Sequence, residues 1–230
     1  MKRFYIIGLF LLLITSVPII IWYTSPDHHK KIAIIDKTVL DETYREHLGI
    51  SWLLNYLKYT SEKEEPYNTS LDYYGFFPDD KKKSYKIRAL PTDYTNYDVI
   101  YLADTYGVYD EDLPWIKKTR EGSRSGRIYG GLEENEWNAI MERLNQKKES
   151  TLIAEFNTFA SPTSDTVRKR VSEYLGIDWS GWVGRYFNEL DPVKNEEIPR
   201  WILEEFKDTW TYSGEGFILV NDINYEVIVL

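Results

Sequence analysis

Three acids stand where a run of apolar residues stops: Asp36 after Ile32-Ala33-Ile34-Ile35, Asp104 after Val99-Ile100-Tyr101-Leu102-Ala103, and Glu155 after Leu152-Ile153-Ala154. Short, continuously apolar runs of this kind suit strands buried on both faces. In an open parallel sheet ligands lie outside the carboxyl ends of the strands. Carboxylates that converge there can raise one another's pKa and work as acid and base, or hold a hard cation through oxygen ligands. Glu155, Asp104 and Asp36 are therefore the candidate catalytic residues, and Arg45, His47 and Asn157 are candidate ligand-binding residues near the same rim. Acids also close strands simply as helix caps and loop formers. Glu155 follows its strand directly, so a buried carboxylate is expected there, and it would need a partner such as Arg45 or Arg185.

A second constellation is Trp179-Ser180-Gly181-Trp182-Val183-Gly184-Arg185-Tyr186-Phe187. Glycine lets a backbone pass close to a ligand, indole and phenol rings offer flat faces to sugar rings, and arginine suits an acidic group. Trp179, Trp182, Arg185 and Tyr186 are the ligand-binding candidates of this wall; the competing reading makes the same aromatics core.

These residues need elements to position them. Ile32–Ile35 reads as a strand, followed by a helix with Thr43 and Glu46 at capping-box spacing and Ile50, Leu53, Leu54 and Leu57 as its apolar stripe. Strands are expected at 71–77 and 85–90, then at Val99–Ala103, followed by a polar excursion through Gly126. Trp137, Ile140, Met141 and Leu144 mark a helix over 133–147. The strand Thr151–Ala154 leads to a helix capped by Ser161 or Thr163, carrying Val167, Val171, Tyr174 and Leu175 inward and stopping at Gly176. Strands alternating with helices indicate parallel β-α-β units. The last part reads as a strand at 182–187, a helix at 198–206 and a hairpin of 217–220 with 225–230, an antiparallel extension of the sheet; an apolar last strand without a polar tail leads to the expectation of a longer relative continuing past Leu230.

The order Tyr97-Asp98-Val99-Ile100, then Gly130-Gly131, a helix, and Leu152-Ile153-Ala154-Glu155 before another helix resembles the class I glutamine amidotransferase-like superfamily over residues 32–176. That resemblance implies a flavodoxin-like or glutamine amidotransferase-like sheet. In the superfamily, a strand-turn-helix elbow presents a cysteine served by a later histidine and glutamate. Here the elbow is Glu155-Phe156-Asn157-Thr158-Phe159-Ala160-Ser161, no cysteine occurs, and no histidine follows it. Glutamine hydrolysis by that route is excluded by composition.

The chain of 230 residues carries 28 basic and 37 acidic side chains, a net charge of −9, which argues against a nucleic-acid partner. The lack of cysteine excludes disulfides and thiolate chemistry. Asn68-Thr69-Ser70 matches a glycosylation sequon. Residues 4–23 are apolar and uncharged, long enough on sequence grounds for one N-terminal transmembrane helix; a cleaved signal is the alternative. The expected organisation is an anchor at 1–23, a linker at 24–31 and an extracytoplasmic α/β domain at 32–230. The expected fold class is a mainly parallel sheet flanked by helices, held at the cell membrane by a single pass through residues 4–23. The domain is expected to bind a glycan or an envelope protein partner without a cofactor. Alternatives are a passive scaffold and a glycan hydrolase in which Glu155 pairs with Asp104 or Asp36, at about 5 to 9.5 Å.

Overall fold

The structure, a computed structural model, describes residues 2–61, 63–117, 126–155 and 157–230. Most of the polar excursion expected before Gly126 lies outside the described residues. The central sheet has five strands: β1 (Ile32–Asp36), β2 (Tyr74–Asp79), β3 (Ser84–Arg88), β4 (Val99–Asp104) and β5 (Thr151–Ala154), in the spatial order β3-β2-β1-β4-β5. Strands β2, β1, β4 and β5 run parallel to one another, while β3 is antiparallel to β2. The sheet is therefore mixed, which corrects the expected mainly parallel one. Residues 80–83 are all that join β2 to β3, and so short a connection makes a hairpin, not a crossover.

The chain leaves β1 toward β2 on one side and returns to β4 on the other, so the direction of winding reverses between β1 and β4. Register brings Asp36 opposite Asp104 across that point, with an irregularity between Ile35 and Asp36. Helix α1 spans Lys2–Thr24. Helix α2 (Arg45–Tyr56) links β1 to the β2 side, α3 (Glu134–Leu144) precedes β5, and α4 (Asp165–Leu175) follows it. Helix α4 is capped by Ser164, whose hydroxyl accepts from the Val167 amide, and it ends on Gly176 at φ 65°. Helix α3 packs Trp137 and Ile140 against Ile35, Ile100 and Leu102 of the sheet and against Val167 and Val171 of α4.

Helix α2 departs from its expected phase. Its buried residues are His47, Ser51 and Leu54, whereas Leu53 and Leu57 face out. No side chain caps its start: Thr43 binds Asp41, and Glu46 binds Arg45. The buried contact from His47 to Asp36 sets the helix face, overriding the count of leucines.

Strands β6 (Trp182–Phe187), β7 (Gly216–Asn221) and β8 (Val227–Val229) form a separate antiparallel sheet. This corrects the expected extension of the central sheet. One of its faces closes with α5 (Arg200–Phe206) over a core of Phe187, Leu190, Ile198, Ile202 and Ile218, so β6 satisfies its ladder with β7 and leaves β5 alone.

Among the described residues no helix is long and apolar enough to cross a membrane. The reading of residues 4–23 as a span is corrected accordingly, together with the single-pass placement at a cell membrane. The second half of α1, residues 13–24, is not uniformly apolar. That stretch includes Thr15, Ser16 and Pro18. Its far end is fastened to α2: the Trp22 indole donates to the Tyr56 carbonyl at 2.6 Å, and Lys58 Nζ donates to the carbonyls of Tyr23 at 3.2 Å and Ser25 at 2.6 Å.

Candidate functional site

The site is built in two layers at the carboxyl ends of β1, β4 and β5. The lower layer is closed to solvent. Asp36 and His47 are fully buried, with Nδ1 and Oδ2 at 2.6 Å. Nε2 of His47 lies 2.8 Å from the Thr69 carbonyl, which can only accept. Nε2 therefore carries a hydrogen, and the second proton lies between Nδ1 and Oδ2, so the pair is neutral as a whole whichever atom holds it. The other oxygen of Asp36 accepts from the Thr38 amide at 2.9 Å.

Beside it, Asp104 Oδ1 accepts from the Thr38 hydroxyl and from the Tyr106 amide, both at 2.7 Å. Its Oδ2 faces Asn157 Nδ2 at 3.3 Å. The Gly107 amide donates to Thr38 Oγ1 at 2.8 Å, and a Cβ on Gly107 would stand 2.0 Å from the Tyr129 carbonyl. Only glycine allows the two loops to touch there. Burial is the main cause that raises the Asp104 carboxyl above its usual value; hydrogen bonds from Tyr106, Thr38 and Asn157 work against it, and Asp36 adds to it. Lys37, almost wholly buried, donates to the Gly131 carbonyl at 2.8 Å and to Glu136 at 2.6 and 2.7 Å. Burial lowers its pKa, and Glu136 opposes that shift.

The upper layer is open. Glu155 is exposed, with Oε2 accepting from the Tyr101 hydroxyl at 2.7 Å. Burial first, then Glu155, raises the pKa of the Tyr101 phenol, which keeps its proton for that bond. Glu155, Asn157 and Trp179 line one cleft of about 240 Å3 together with Phe159 and Val183. Trp179 is held from behind by the Arg168 guanidinium, 5.2 Å from the ring centroid.

Three sequence candidates thus converge: Glu155, Asn157 and Trp179. Asp36, Asp104 and His47 lie beneath them, saturated by protein partners. The expected burial of Glu155 does not occur, and its partner is Tyr101, because Arg45 is bound to Glu46 and Arg185 to Glu197. Trp182 and Tyr186 do not join the cleft. Side chains alternate along β6, so they share the outward face with Phe217, 5.3 Å from Tyr186 between ring centroids, while Val183 turns to the cleft. Thr38, Lys37 and Tyr101 escaped the sequence reading. Thr38 and Lys37 directly follow Asp36 at the end of β1, which is the signal that could have found them; Tyr101 reads in sequence as one more apolar strand residue. Among the described residues no cluster of His, Asp and Glu could hold a metal ion.

No family model matches this chain, and neither a curated protein nor a solved structure matches it.

Proposed function

We propose that this chain is a non-catalytic binding domain for a polyhydroxylated ligand, a glycan being the class that suits it, and that the ligand occupies the cleft of Glu155, Asn157 and Trp179. The observation that carries this reading is the contrast among the three strand-end acids. Asp36 and Asp104 spend their oxygens on protein donors, whereas Glu155 faces solvent with one oxygen steadied by Tyr101. A carboxylate and an amide beside an indole present acceptors and a flat apolar face, which is what a sugar's hydroxyls and ring require. A glycan hydrolase of the usual kind needs two carboxyls facing the scissile bond, and the two closed acids cannot supply the second.

Calorimetry of the full chain against a panel of oligosaccharides, with assay of released reducing ends, tests this. Binding without release is expected, weakened about tenfold by Glu155→Gln, as suits loss of a charged acceptor, and weakened also by Trp179→Ala. Release by the wild type that Glu155→Gln abolishes would replace the reading with a hydrolase. Absence of binding to every member of the panel would sink it.

A further inference from the structure

The face of α2 turned away from His47, Ser51 and Leu54 carries Leu48, Trp52, Leu53 and Tyr56, with Leu57 at the C-cap, and these five side chains are 41–63 % exposed. No charged residue occurs between Leu48 and Leu57. The charges of the first turn, Arg45 and Glu46, are bound to each other. Trp52 stacks on Tyr56 in the open, with ring centroids 5.2 Å apart and planes 10° from parallel. Helix α1 meets α2 at its last turn through the Trp22 bond to the Tyr56 carbonyl, and Ile19, Ile20, Ile21 and Tyr23 are exposed beside that bond. A contiguous apolar surface of this extent marks a place where another molecule sits.

Gly49 lies within that face, one to two turns before Trp52, Leu53 and Tyr56. It is exposed, its backbone is ordinary helix, and a Cβ built on it would meet no described atom within 4 Å. Neither the course of the chain nor its own packing calls for glycine here, yet glycine is among the least favourable residues in a helix interior. What Gly49 supplies is a gap among large side chains, through which a second helix can bring its backbone close. A lipid surface gains from every apolar side chain set against it and has no use for such a gap. The area fits a second copy of the chain. At their printed exposures the five side chains of α2 present roughly 500 Å2 per copy, or about 1000 Å2 for two copies, the lower bound of a specific interface. One side of α1 brings about as much again, for a total near 2000 Å2, the size of a stable one.

We propose that α2 packs against α2 of a second copy across a two-fold axis beside Gly49, with α1 flanking the contact, so that this face is an interface between copies of the chain. A two-fold axis sets one patch against itself, and an uncharged face permits that without repulsion even in a chain of net charge −9. The test is sedimentation equilibrium of the full chain in detergent-free buffer over a wide range of concentration, beside co-sedimentation with phosphatidylcholine vesicles. A reversible monomer–dimer equilibrium is expected. Gly49→Leu fills the gap and should weaken the dimer about tenfold or more, while it makes the monomer more resistant to urea because leucine favours the helix. Trp52→Glu sets a charge from each copy in the contact and should leave only monomer, with the far-UV signal of the fold unchanged. Glu155→Gln should leave the dimer as it is, since the contact does not involve that cleft. Monomer at every concentration of the wild type overturns the proposal, as does open-ended association beyond the dimer. A dimer that Gly49→Leu leaves as strong, or strengthens, also overturns it. Vesicle binding by a chain that stays monomeric, undiminished by Gly49→Leu, would overturn it by making lipid the cover of this face.

Discussion

His47 and Asp36 share a proton at the bottom of the site, and that pair closes β1 onto α2 and onto the Thr69 carbonyl at once. Removing one member of a buried, hydrogen-bonded pair leaves its partner desolvated and alone. His47→Ala is therefore expected to cost about 3–5 kcal/mol, read as a lowered urea midpoint. Asp104 carries a pH signature instead. Its folded pKa is raised above the unfolded value of 3.8, chiefly by burial. The folded state thus holds this proton more tightly, and the stability so gained is complete below pH 3.8 and is lost as pH rises through the folded pKa. Asp104→Asn keeps an acceptor oxygen for Thr38 and Tyr106 and removes the titration. Relative to wild type, its unfolding midpoint should gain as pH goes from 3.8 to neutrality; a difference that stays constant across that range would count against the buried carboxylate as its cause.

At the scale of elements, β1 is tied to α3 by Lys37 reaching Glu136 and the Gly131 carbonyl. Lys37→Met leaves Glu136 without its cation in a largely dry place and should destabilise by about 3 kcal/mol or more. Pairing it with Glu136→Leu should recover much of that loss, since an apolar pair of similar volume tolerates burial better than one orphaned charge. A double-mutant cycle by chemical denaturation measures the coupling; simple additivity would mean that the two side chains act separately. These elements differed in how far the sequence announced them. Strands β1 and β4 lie on unbroken apolar runs, and α3 has a single stripe of large side chains, so one pattern points one way. Helix α2 offered two faces, leucines on one and His47 with Ser51 on the other. The buried bond to Asp36 decided between them, and a bond between residues so placed cannot be seen before the fold is known. The direction of β3 followed from a short connection, whereas the pairing of β6 with β7 depended on α5 covering one face.

For the molecule as a whole, two hydrophobic cores meet along a seam where Asp222 joins the C-terminal sheet to Ser161 and Arg168 of the α/β unit. Asp222→Ala is expected to cost about 1–3 kcal/mol, the range for a buried donor left unmatched. Amide hydrogen exchange at residues 157–163 and 179–183 should accelerate while β1 stays protected; uniform acceleration would show that the seam is not a separate opening unit. Of the candidate site, the acids at strand ends were legible because strand ends can be read from apolar runs. Which of them face solvent was not legible, because closure of Asp36 and Asp104 depends on Thr38, Thr69 and Asn157 arriving from three segments of chain. The seam also escaped notice, since nothing marks Asp222 in sequence. The fastening of α1 to α2 through Trp22 and Lys58 has a mechanical corollary. A helix clamped at one end acts as a lever arm, and α2 carries the clamp at its last turn and His47 in its first. A sideways push on α1 would therefore meet α2 at its last turn, the same helix whose first turn His47 ties to Asp36.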